Sequence, residues 1–433
     1  MRTNTRAINR VRTHEGATTV PRDDLQKLRR STMSCMLFER EFYEDGQSIA
    51  SRIMDLASRV SASDVASLAI EARERMNLRH VPLLLVIAVV DKRLGRDFDT
   101  AALIERICQR ADEPGELLAL YWKDGRRPIP AAMKRGLARA MAKFDAYQLA
   151  KYDRKTEVKL ADVLRLTHPK PANDEMDSRY AGVVRGTLEA PDTWEVALST
   201  GSDKRATFER LLDEGGLGYM ALLRNLRGMD EAGVDPDKIR DAILARRGAS
   251  RVLPFRYVAA ARAVPRYEPV LDEALSAAVE AMPVLGGETI VLVDVSASMD
   301  QPLSQRSDLT RLDAAATLAS VIHGRVRVFS FSDSVVEVPP RRGMSGVDAI
   351  RRSQPHHGTW LGRAVQEVSR HRHDRIIVIT DEQSHDTVGS AAVDRAYMIN
   401  VASSERAVGH GAWTRISGFS ENVLTWIQQK ENG

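Results

Sequence analysis

The feature that most constrains this chain is a change of hydrophobic period near residue 286. From about 48 to 283, apolar residues recur at spacings of three and four, as in 49–59, 64–78, 99–110 and 131–152. That period places them on one face of a helix. Asp64 and Asp99 are placed to cap two of these helices, because their carboxylates accept from first-turn amides. Breaks at 112–115, 124–130, 168–171 and 235–236 separate the helices, and strand patterns are scarce. A succession of helices on short loops predicts a stacked α-solenoid. Without a strict repeat motif, it reads as a degenerate HEAT-like array.

After Gly286-Gly287 the texture differs. Glu288-Thr289-Ile290-Val291-Leu292-Val293-Asp294-Val295 is a short apolar run rich in β-branched residues. A helix is expected over 308–323, a strand over 325–331, a helix over 360–371 and a strand over 375–380. Such alternation predicts a doubly wound, Rossmann-like α/β domain with a mainly parallel sheet. The chain therefore reads as a basic mobile arm (1–22), a helical domain (23–285) and an α/β domain (286–433). The arm carries Arg2, Arg6, Arg10, Arg12 and Arg22 and shows no apolar period.

Charge sharpens the partition. The whole chain carries only +4, which excludes a polycation. From 286 onward there are 16 Lys and Arg against 17 Asp and Glu, and the rest holds 47 against 42. The positive excess thus lies wholly before residue 286, in the arm and the helical domain. Two cysteines, Cys35 and Cys108, cannot build a disulfide framework or a zinc module, and free thiols suit a cytoplasmic protein. The longest apolar run, 81–90, is half the length of a membrane span and predicts a buried helix instead. No secretory signal is expected from the first residues.

The chemistry gathers in three short segments of the α/β part. Asp294-Val295-Ser296-Ala297-Ser298 ends the first strand, where binding sites form in open α/β sheets. Gly358-Thr359-Trp360-Leu361 opens a helix, and Ile379-Thr380-Asp381-Glu382 ends a later strand. Two carboxylates and three hydroxyls are hard oxygen donors, suited to Mg²⁺ with Mn²⁺ as the alternative. His356, His357 and His385 lie nearby but show no metal-ligand spacing, and no general base can be assigned among them. Hydrolysis is therefore not expected.

The trio resembles the metal-ion-dependent adhesion site of von Willebrand factor A domains. The resemblance implies one divalent ion held by Asp294, Ser296, Ser298, Thr359 and Asp381, with a coordination position left for a partner's carboxylate. Leu222-Leu223-Arg224-Asn225-Leu226-Arg227-Gly228-Met229 and Asp162-Val163-Leu164-Arg165-Leu166-Thr167-His168-Pro169-Lys170 resemble signature segments of the TROVE module. Ala150-Lys151-Tyr152 and Leu253-Pro254-Phe255-Arg256-Tyr257 add to that likeness. TROVE followed by an A domain is the architecture of the Ro autoantigen family and its bacterial orthologues. What the resemblance implies is a monomeric HEAT-like solenoid closed into a ring by the A domain. It implies a non-catalytic scaffold in RNA quality control, binding Y-like noncoding RNA outside and single-stranded 3′ ends of misfolded RNA through the hole. An exoribonuclease is an implied partner, and no membrane is.

The densest basic tract outside the arm, 134–170, supplies the candidate RNA contacts Lys134, Arg135, Lys151, Arg154, Lys155, His168 and Lys170. His168 competes for a helix-closing role before Pro169, and Arg224 and Arg227 for structural pairing with acids. An alternative reading makes the chain a metal-dependent adaptor in which the A domain captures a partner protein's carboxylate.

Overall fold

A computed structural model of the chain describes residues 12–13, 15–18, 23–33, 46–76, 78–92, 98–154, 156–280, 282, 284–302, 309–402, 407–417 and 422–432. Helices come first along the chain: α1 (Asp24–Met33), α2 (Gly46–Arg59), α3 (Ala62–Glu74), α4 (His80–Asp91), α5 (Thr100–Ile107), α6 (Glu113–Tyr121), α7 (Ala131–Met141), α8 (Ala146–Tyr152), α9 (Leu160–Thr167), α10 (Asp174–Arg185) and α11 (Trp194–Ser199). They continue with α12 (Lys204–Asp213), α13 (Tyr219–Glu231), α14 (Pro236–Ala245), α15 (Phe255–Ala263) and α16 (Glu268–Glu280). Strands then alternate with helices: β1 (Val284–Asp294), α17 (Arg311–Ser320), β2 (His323–Phe331), β3 (Val335–Val338), α18 (Gly343–Arg351), α19 (Leu361–Val368), β4 (Arg375–Thr380), β5 (Arg395–Asn400), β6 (Thr414–Ser417) and α20 (Asn422–Asn432).

Two compact units result, 47–203 and 1–46 with 204–433. In the first, α3 packs on α4 and α5, α5 on α7, and α7 on α9. The 81–90 run is helix α4 and is buried along its length. Asp99 caps α5 as expected, accepting from the Ala102 amide at 3.0 Å. The α3 cap is Ser61, not Asp64. The chain turns three residues earlier, so Asp64 lies in the first turn and gives its amide to the Ser61 hydroxyl at 3.2 Å. The 131–152 stretch is two helices, because Asp145 caps α8 in a reciprocal box with Gln148. Among the described residues no helix is long and apolar enough to cross a membrane.

In the second unit the strand order is β3-β2-β1-β4-β5-β6, parallel except for β3. The chain leaves β1 toward β2 on one side and later returns to β4 on the other, so the order switches direction between β1 and β4. The core on one side of the sheet joins Ile290, Leu292, Phe329, Phe331, Ile376, Val378 and Met398 to Leu361, Ala364 and Val365 of α19. The period change at 286 and the division into compact units fall at different places. Helices α12–α16 share the second unit because α15 packs on α17 and α16 on α18.

Part of the expected mobile arm is also built into this unit. An isolated bridge joins Arg12 and Thr18. The Thr13 hydroxyl donates to the Ser384 carbonyl at 2.8 Å, the Ala17 amide to the same oxygen at 3.2 Å, and Ala17 is buried in the sheet core. That carbonyl would otherwise stand buried without a backbone partner, which is why this short stretch is held. Arg2, Arg6, Arg10 and Arg22 lie outside the described residues.

Candidate functional site

The switch between β1 and β4 positions the carboxylates. Asp294 ends β1, registered beside Phe331 of β2, and Asp381 follows the last residue of β4. Parallel strands end on the same edge, so both loops open there. The third loop is tied in by the Ala297 amide, which donates to the His357 carbonyl at 3.0 Å. The His385 amide donates to the Thr359 carbonyl at 2.9 Å and holds Thr359 against the loop that carries Asp381. The structure therefore brings Asp294, Ser296, Ser298, Thr359 and Asp381 to one end of the sheet, all buried.

Each side chain is oriented by local bonds. Asp294 Oδ1 accepts from the Ser296 amide at 2.9 Å, and Oδ2 from the Thr380 hydroxyl at 2.6 Å. The Ser296 and Ser298 hydroxyls lie 3.3 Å apart. Asp381 Oδ1 accepts from the Gln383 amide at 3.1 Å, while its Oδ2 is buried with no hydrogen-bond partner and with Arg311 Nη1 at 3.7 Å. Burial, and then the charge of Asp381, pushes the Asp294 carboxyl well above the usual carboxylate range. Burial likewise raises Asp381, against the pull of Arg311. Two desolvated carboxylates and three hydroxyls form a donor set that a hard divalent cation would neutralise. The orphaned Oδ2 makes the residues fit such an ion.

The three histidines around these loops each meet a carboxylate: His356 with Asp300 at 2.7 Å, His357 with Asp333 at 3.2 Å, and His385 with Glu15 at 3.2 Å. Sequence reasoning missed Thr380, although it lies within the Ile379–Glu382 segment. It also missed Arg311, and the buried pair of Arg30 on α1 with Glu382, 352 residues apart, for which the sequence carries no local signal.

The candidate nucleic-acid contacts lie elsewhere, on α7–α9. Lys134 and Arg135 are exposed on α7, and Arg154 and Lys170 are exposed beyond α8 and α9. Lys151, half-buried, ends α8 with Nζ 5.8 Å from the Tyr147 ring. His168 is exposed and closes α9 in the left-handed region, with φ 46°. Lys155 lies outside the described residues. Among the described residues none of these six has a carboxylate partner. Neighbouring arginines do: Arg127 with Asp91 at 2.8 Å and Arg139 with Asp99 at 3.5 Å. Arg224, expected to pair with an acid, has no carboxylate partner among the described residues.

The TROVE domain family matches residues 171–282, which span α10–α16 and two of the quoted signature segments. The crystal structure of the Ro protein of Deinococcus radiodurans superposes with a TM-score of 0.63, covering 95% of this chain and 100% of that one at 17% identity. Residues 171–282 thus match a TROVE domain, and the chain has the fold of that Ro protein. Curated relatives of the chain include telomerase protein component 1 of Rattus norvegicus, 35% identical over 98 residues, and that of Mus musculus, 33% identical over 90 residues. These stretches are 21% and 19% of this chain but only 4% and 3% of those much longer proteins.

Proposed function

We propose that this TROVE-domain protein is an RNA-binding scaffold without catalysis of its own. The observation that carries the reading is the set of exposed cations on and beside α7–α9 with no carboxylate partner among the described residues. A solvated helix surface laces its charges with opposite ones, as Arg139 and Asp99 do. Cations left unpaired are free to displace counterions from phosphates, which gives affinity without sequence preference. The TROVE match supports the same reading. In its finer form, small noncoding Y-like RNA binds the helical surface and single-stranded 3′ ends of misfolded RNA are captured, with an exoribonuclease as partner, in the cytoplasm.

Filter binding with labelled RNA tests it. RNA with a single-stranded 3′ tail should bind better than blunt duplex. The charge reversals Lys134→Glu and Arg135→Glu together should lower the slope of log affinity against log salt by about 1.4, at about 0.7 per phosphate contact on a single strand. Equal binding to RNA and to an inert polyanion such as heparin would reject the reading.

A second reading is favoured by the orphaned Asp381 Oδ2. In it, Asp294, Ser296, Ser298, Thr359 and Asp381 hold Mg²⁺ or Mn²⁺, and the chain acts as a protein-binding adaptor. The ion would supply a hard positive centre able to take a partner's carboxylate as a further oxygen ligand. The protein's part is to keep both carboxylates dry and the hydroxyls aimed, through Thr380 and the Ser296 amide. Pull-downs with and without chelator separate this role from RNA binding, and partners that survive chelation refute it.

A further inference from the structure

Helices α4 to α7 border a cavity of about 460 Å³. Its walls are apolar: Val90 near the end of α4, Tyr121 at the end of α6, Pro128 and Ile129 in the following loop, and Met133 on α7. Gly136 lets α5 and α7 approach closely, since a Cβ there would stand 2.9 Å from the Ala101 carbonyl oxygen. The starts of both helices therefore reach the same cavity, through Thr100 and Ala132.

The loop wall is fixed. Trp122 Nε1 donates to the Arg127 carbonyl at 2.8 Å, and the Tyr121 hydroxyl to the Pro128 carbonyl at 2.9 Å. Pro128 and Pro130 carry no amide proton that needs a partner. The Arg127 guanidinium lies 3.8 Å from the centre of the Tyr121 ring. Its Nε donates to the Tyr121 carbonyl at 3.1 Å, and its Nη1 meets Asp91 at 2.8 Å. Its Nη2 makes no hydrogen bond among the described residues.

The groups left unsatisfied here are donors. Pro130 starts α7 without a side-chain cap, and the first helical bond runs from the Lys134 amide to the Pro130 carbonyl. The amides of Ala131, Ala132 and Met133 thus have no acceptor within the helix. Thr100 lines the cavity and is 7% exposed, and its hydroxyl has no hydrogen-bond partner among the described residues. A buried hydroxyl without a bond costs free energy, and a ligand that bonds it recovers that cost. Asp91, the carboxylate among the lining residues, is already engaged by Arg127.

We propose that this cavity binds a small organic acid, a monocarboxylate with an apolar body. The carboxylate accepts from the Thr100 hydroxyl and the first amides of α7, where the helix dipole favours negative charge. The apolar body covers Val90, Ile129 and Met133, and Arg127 flanks it. Cavities of about 300–1,000 Å³ with apolar walls and few polar groups suit ligands of this kind. The site uses none of the residues assigned to RNA or to the metal, so it stands apart from both readings.

Calorimetric titration of the full chain with sodium octanoate tests it. Octanol and inorganic phosphate serve as probes that carry only the body or only the charge. Wild type should bind octanoate at one site, at least about tenfold more tightly than either probe. Thr100→Val keeps the shape and should weaken octanoate about tenfold, the worth of one bond to a charged group. Its thermal midpoint should equal or exceed that of wild type, because the hydroxyl has no partner to lose. Ala132→Phe should fill the cavity and abolish binding. Arg240→Gln, exposed and paired with Asp237 in the other compact unit, should bind as wild type does. Absence of octanoate binding by wild type overturns the site, as does unchanged binding in Ala132→Phe. Equal affinity for octanol or for phosphate rejects the organic acid. A lowered midpoint of Thr100→Val with unchanged octanoate affinity assigns the hydroxyl to the fold and also overturns the proposal.

Discussion

Substituting Glu382 by glutamine tests whether the α1 segment braces the loop that carries Asp381. Glu382 is fully buried and Arg30 is 3% exposed, with Nη1 and Oε1 2.5 Å apart. The other carboxylate oxygen accepts from the Val408 amide at 2.9 Å. Glutamine keeps an acceptor for one of these donors but removes the charge from one side of a buried ion pair. Breaking a buried ion pair from one side costs about 3–5 kcal/mol. For a unit of this size each kcal/mol lowers the melting midpoint by about 2–4 °C, so a fall of about 10 °C is expected. Differential scanning calorimetry of wild type, Glu382→Gln and the double variant Arg30→Met with Glu382→Leu measures it. The double variant should recover most of the loss, because an apolar pair of similar volume carries no desolvation penalty. A single-variant loss below about 1 kcal/mol, or a double variant no better than the single, would falsify the account. Because Glu382 follows Asp381 directly, the single variant should also weaken any stabilisation by magnesium.

Three further outcomes are expected. Millimolar Mg²⁺ should raise the melting midpoint of wild type, by about 2.7 kcal/mol of stability at a hundredfold excess over its dissociation constant. Asp294→Asn should abolish that rise while leaving the metal-free protein no less stable, since it removes a desolvated charge; equal magnesium shifts in both proteins would remove Asp294 from the site. Cys108 is fully buried, and burial pushes its thiol far above the ordinary range. In a Cys35→Ser background dithionitrobenzoate should therefore react only on unfolding, and rapid labelling of native protein would contradict the packing. Burial favours the neutral form of Glu431, but bonds from Arg375 and Tyr397 outweigh it and hold the carboxyl below its usual value near 4.5. A depressed carboxylate stabilises above the unfolded value and loses that stabilisation as pH falls through the folded one. Glu431→Gln should thus destabilise at neutral pH and flatten the acid limb of a melting-midpoint profile below pH 4.5, whereas parallel profiles would show the bonds to be inert.

The helices of 47–283 and the strands at β1, β2 and β4 were legible because their signals are local. Apolar spacing, the Asp99 cap and the β-branched run at 288–295 depend on neighbours a few residues away. Boundaries were less legible where two capping residues competed, as Ser61 and Asp64 did, or where a turn divides one periodic stretch, as at Asp145. The Asp294, Ser296, Ser298, Thr359 and Asp381 set could be quoted from sequence since each lies at a strand end or helix start whose register the period fixes.

By itself, then, the sequence determined the helical series, the alternation of β1, β2 and β4 with helices in the doubly wound domain, and the five oxygen donors at strand ends and a helix start. Only the tertiary structure decided that Arg30 meets Glu382, that Arg311 faces Asp381, and that Thr13 and Ala17 are held by Ser384. Those contacts join residues far apart in the chain. Their energies depend on burial and on which charges share a dry site, and neither is set until the sheet and its helices have packed.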